Sequence, residues 1–122
     1  MKVLLAIAFA TATAAAYADC PYPQAPTKLP DGATATLEQM VAGQKDVAAY
    51  QKAINDYTAC IDKELDDNIA KEGDKLKPKD KEQMQRMEAQ KHNAAVDQLQ
   101  SVADRFNEQV KVYKARTADK KG

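Results

Sequence analysis

Tryptophan is absent from this 122-residue chain, phenylalanine occurs twice and histidine once. With charged residues at 30 %, so little bulk leaves material for a narrow core only, which suits long, solvent-washed helices. The four glycines are not clustered, so no phosphate-cradling loop exists. Charge of one sign is not in excess: 18 basic residues face 18 acidic ones, which excludes a field that gathers nucleic acid or an anionic membrane surface. The longest uncharged run, Val3 to Ala18, has sixteen residues, half of them alanine. It falls short of the roughly 20 strongly apolar residues that cross a bilayer as a helix.

That run has the order of a secretion signal. Met1-Lys2 is a basic start, Val3 to Ala10 an apolar stretch, and Ala16-Tyr17-Ala18 an A-x-A end before Asp19. Residues 1–18 are therefore predicted to be a signal peptide cleaved after Ala18, and the protein to be periplasmic or secreted, without a stable membrane anchor afterwards. Lipid attachment at Cys20 would require a small residue before it, where Asp19 stands. Without Lys2 the mature chain carries a net charge of about −1. The only cysteines, Cys20 and Cys60, both belong to it, and an isolated pair in an oxidising compartment forms a disulfide.

Four prolines at 21, 23, 26 and 30 fix φ and remove amide donors, so residues 19–33 are predicted to run as an extended arm near polyproline II. The Pro23 to Pro26 spacing also matches a PxxP ligand, but those ligands serve cytoplasmic modules. Asp31-Gly32 marks a turn. Thr36 and Gln39 have capping-box spacing. Leu37, Met40, Val47, Tyr50, Ile54, Tyr57, Ile61 and Leu65 then recur mostly in steps of three and four, predicting a helix over 35–72. Gly43 is its weak point and Gly73 its stop. Pro78 suits the first position of a second helix over 78–116, carrying Met84, Met87, Ala95, Leu99, Val102, Phe106, Val110 and Tyr113. This helix is expected to fray at 115–117, before a flexible tail over 118–122.

The predicted fold is all-α: a long antiparallel helical hairpin over 34–117, coiled-coil-like, with the Pro-rich arm packed along helix 1. Two helices bury little, so a homodimer forming a four-helix bundle is compatible with it. Geometry permits the staple. Cys60 lies roughly 36 Å along helix 1 from Thr36 at 1.5 Å per residue, and sixteen arm residues near polyproline II reach about 50 Å. The rival is an intermolecular bridge, since Cys20 sits near a terminus.

Chemistry has few candidates. His92 is the sole histidine, and its neighbours Gln90, Lys91 and Asn93 suggest a solvated position. Glu88 and His92 are four apart and Met84 and Met87 are near, a combination that suits a copper-type site; packing explains the methionines equally. The acids of IDKELDD, Asp62, Glu64, Asp66 and Asp67, spread round a helix and read as a solvated face rather than an acid/base pair. Tyr22, Tyr50, Tyr57 and Tyr113 read either as a binding groove or, at helical spacing, as core. No catalytic or cofactor-binding residue emerges, and no enzyme is expected.

The stretch Pro30-Asp31-Gly32, Ala35-Thr36, Met40, Gln44, Val47, Tyr50 and Tyr57-x-x-Cys60 resembles a loose group of small exported proteobacterial proteins. The resemblance implies a periplasmic or secreted address, no activity and no functional residue. The expected role is a protein-interaction, scaffold or chaperone-like one, with a protein partner or self-association; the alternative is a carrier of a small ligand or metal through His92 and the nearby Glu and Met residues.

Overall fold

The computed structural model describes residues 20–121; the predicted signal peptide over 1–18 and Gly122 of the tail lie outside the described residues. The chain enters as an irregular arm, turns at 31–34, and forms α1, Leu37–Glu72. A single 3₁₀ turn, Gly73–Lys75, leads to α2, Pro78–Ala118, and a last 3₁₀ turn covers Asp119–Lys121. Among the described residues there is no strand, and the two helices pack against each other. Met40 near the start of α1 clusters with Phe106 and Val110 near the end of α2, so the helices run antiparallel. This is the predicted all-α hairpin.

Local chemistry sets the helix ends. Thr36 is extended; its hydroxyl accepts from the Gln39 amide at 3.2 Å while Gln39 Oε1 accepts from the Thr36 amide at 2.9 Å. This capping box satisfies two amides that a helix start leaves without partners. Gly73 ends α1 with φ 53°, the one positive φ among the described residues, and its amide returns to the Ile69 carbonyl. A side chain tolerates that conformation poorly, and glycine does not. Pro78 occupies the first turn of α2 as expected.

The core has two parts. Tyr50, Ile54, Tyr57 and Ile61 of α1 meet Ala95 and Val102 of α2, with Cys20 and Ala25 of the arm and Leu99 packed on them. Ala35, Met40 and Phe106 form the second part, with Leu29 of the arm, Val110 and Tyr113 around it. The arm therefore lies over α1, and Cys20 and Cys60 are joined by a disulfide with their Cα atoms 5.8 Å apart. Tyr22 stands edge-on to Tyr57, centroids 5.1 Å apart. Among the described residues no hydrogen bond ties Pro21–Pro30 to the helices. The staple and apolar contact hold it.

Where the arm turns, it is buckled to α2. Asp31 organises the turn, accepting from Thr34 and Ala35 on its carbonyl and from Ala33 on its carboxylate. Gln109 Oε1 accepts from the Gly32 amide at 2.8 Å, and the Arg116 guanidinium donates to the carbonyls of Gly32 and Ala35. A Cβ on Gly32 would stand 2.0 Å from the Gln109 carbonyl oxygen, so this glycine permits a close approach of two backbones.

Several expectations are corrected here. Leu37 is 62 % exposed, because as the first helical residue after the cap it faces away from α2. Met87 is 53 % exposed, lying off the contact face of α2. Gly43 is more than a weak point: it is buried, and a Cβ there would sit 2.6 Å from the Pro30 ring and 3.0 Å from Phe106. The end of α2 does not fray at 115–117, since Arg116 is held by the buckle and stacks 5.3 Å from the Tyr113 ring, and Thr117 bonds back to the Tyr113 carbonyl.

Candidate functional site

Packing divides the hairpin along its length. From Asp62 through the turn to Ala94 no residue is buried, although this stretch holds the last third of α1 and the first two-fifths of α2. Between these helix ends lies a groove of about 200 Å³, lined on α1 by Ile61, Glu64 and Leu65 and on α2 by Met84, Met87 and Glu88. Its lining mixes carboxylates with apolar side chains.

The seam of α2 explains why this end is loose. Counting back from Phe106, the positions that face α1 are Val102, Leu99, Ala95, His92, Glu88 and Met84, in steps of three and four. Val102 and Ala95 are fully buried, but the next two places go to a histidine and a glutamate. His92 is half-buried, which corrects its reading as a solvated residue. Glu88 is half-buried too, and one of its oxygens, Oε1, is fully covered and has no hydrogen-bond donor among the described residues. The polarity of these two residues hid them from a search for apolar stripes; the register alone would have found them.

Electrostatics at Glu88 follow from that position. Its pKa is raised, first by the Asp62 carboxyl on the facing helix, with which it can share a hydrogen bond only when one of the two carries a proton, then by burial, then by the charges of Asp62 and Asp66; His92 acts in the opposite direction. Asp62, Asp66 and Asp67 of the IDKELDD segment are exposed, as a solvated face requires, and Asp62 and Asp66 still act on an acid of the other helix. Glu88 and His92 do not complete a metal set: among the described residues no group of three or more His, Cys, Asp or Glu side chains could hold an ion.

The tyrosines divide. Tyr50 and Tyr57 are core, Tyr22 covers Tyr57 from outside, and Tyr113 lies beneath Arg116. Burial, and then Tyr22, raise the Tyr50 pKa, and the Tyr50 hydroxyl has no partner. Shallow grooves flank the arm, one of about 320 Å³ beside Tyr22, Tyr57 and Cys60, another of about 450 Å³ beside Pro23, Pro26 and Tyr50. Among the described residues no helix is long and apolar enough to cross a membrane. Comparison with known protein families, with curated proteins and with solved structures finds no match.

Proposed function

We propose that this is an exported, non-enzymatic protein of the periplasm that holds another polypeptide in the groove between its helix ends, as an adaptor or chaperone-like clamp. The observation that carries the reading is the contrast in packing: nothing from Asp62 to Ala94 is buried, yet Ile61, Leu65, Met84 and Met87 line one groove there. Methionine is unbranched and polarizable, so it adapts to varied apolar surfaces. The disulfide and the secretion-like start support the address. A second copy of this chain is one partner that such a groove accepts.

The test uses the purified mature protein and a reduced client that aggregates as it unfolds. Substoichiometric suppression of light scattering is expected, weakened by Met87→Glu and untouched by Gln100→Glu. A photo-crosslinker at position 87 in cells then identifies the occupant: one recurring partner defines an adaptor, many unfolded chains a clamp, and the protein alone a homo-oligomer. No suppression, with equal crosslinking from positions 87 and 100, would refute the reading.

A further inference from the structure

We propose that Glu88 and Asp62 form a proton-operated latch across the hairpin: protonated, it closes the turn end of the molecule, and without its proton that end opens while the stapled end stays shut. Three observations lead there. Glu88 occupies a seam position of α2, in register with Ala95, Val102 and Phe106, where a side chain is directed at α1. Its Oε1 is fully covered and has no donor. The group it meets on α1 is another carboxyl, Asp62, which has no proton to give when ionised.

Two carboxylates facing each other repel, whereas a carboxyl and a carboxylate share an O–H···O hydrogen bond. One proton taken from solvent therefore converts the contact from repulsive to cohesive and supplies the donor that the covered oxygen lacks. The other charged groups modulate this. On α1, Asp66 adds repulsion and Glu64 lines the groove; on α2, His92 one turn away favours the ionised form when it carries charge, and Lys91 lines the same groove. Because the folded pKa of Glu88 lies above its unfolded value, the cohesion is present at pH below the unfolded value and is lost as pH rises through the folded one.

Location gives the switch its leverage. The latch sits in the stretch without fully buried residues, where the helix ends are held together by half-buried side chains such as Leu65, Ile69, Leu76 and Met84 alone. Beyond Ile61 and Ala95 toward the other end, the core, the staple and the buckle are all independent of this proton. Opening is thus confined to one end, with the groove of Met84, Met87 and Leu65 widening as pH rises. The latch stands without any partner; only its use as a control on the groove rests on the clamp reading.

Amide hydrogen exchange on the full mature chain, disulfide intact and no partner present, tests it from about pH 4 to about pH 8, corrected for intrinsic exchange at each pH. Protection of 62–68 and 84–92 is expected to fall about threefold or more relative to 47–57 as the shared proton is lost. Glu88→Gln should keep the ratio constant across the range. Asp62→Asn, on an exposed residue, should do the same and serves if Glu88→Gln loses protection throughout the chain. A ratio that falls equally in wild type and both variants, or does not fall in wild type, overturns the latch. Client suppression that fails while the exchange step persists would remove the clamp alone.

Discussion

The two ends of the hairpin are built by the same kind of helix and held by different means. At the arm end, α1 and α2 share two buried clusters, a disulfide ties the arm down, and Gln109 and Arg116 fasten its turn to α2. At the turn end the helices continue in register, but their seam carries Glu88 and His92 and no residue is buried. Both ends are helical; what differs is the chemistry placed at the contact positions. Packing of a face, more than helix formation itself, decides which part of a long hairpin is stable.

The largest expected effect breaks the arm end. Replacing both cysteines by serine removes closure of a loop with a sequence separation of 40 and should lower stability by ~4 kcal/mol in the chain-entropy model. Urea unfolding of the oxidised protein and the variant measures it; equal midpoints would show that the bond constrains nothing. Intact mass of the oxidised monomer, with no free thiol, separates the internal bond from a covalent dimer.

Next comes the core. Ile54 is 1 % exposed, so Ile54→Ala should cost ~3 kcal/mol, within the span for buried aliphatic truncations. Met87→Ala, at the other end, should stay within ~0.5 kcal/mol. Similar losses at the two positions would erase the distinction drawn between the ends.

A smaller loss is expected at the buckle. Gly32→Ala places a Cβ against the Gln109 carbonyl and should cost ~2 kcal/mol, as overpacking does. Exchange at 31–36 and 109–116 should rise with it, and unchanged exchange there would mean that the turn has room to shift. Smaller than the buckle loss is that of Thr36→Ala, ~1 kcal/mol from loss of the capping box, read as a thermal midpoint.

Much of this plan is legible in the sequence, for local reasons. Thr36 with Gln39, Gly73 and Pro78 act within a turn of themselves, so both helices could be bounded without tertiary information. The stepping of Tyr50, Ile54, Tyr57 and Ile61 names the contact face of α1 because every member is apolar. On α2 the same rule fails between Met84 and Ala95, where the periodicity continues through polar residues and the apolar signal slides to Met87. Arg116 and Gln109 were invisible for another reason. They bond to backbone groups around Gly32, a distant segment, and such contacts leave no pattern in local spacing. Gly43 looked like a defect because the residues that fill its missing side chain, Pro30 and Phe106, are supplied by other elements.

The position of the staple has a consequence for the order of assembly. Both cysteines lie in the first 60 residues, whereas the buckle joins groups separated by 77 and 84 positions. A chain delivered from its N-terminus presents the arm and the first two-thirds of α1 before any of α2 exists, and with two cysteines it has only one internal pairing to make. Shorter loops close at lower entropic cost, so the covalent tie is available first and the second helix docks onto an arm-and-helix unit already joined. An oxidised fragment of residues 20–72 is then expected to form the internal bond in dilute solution, and α2 added as a separate peptide to recover the arm-end contacts without reshuffling it.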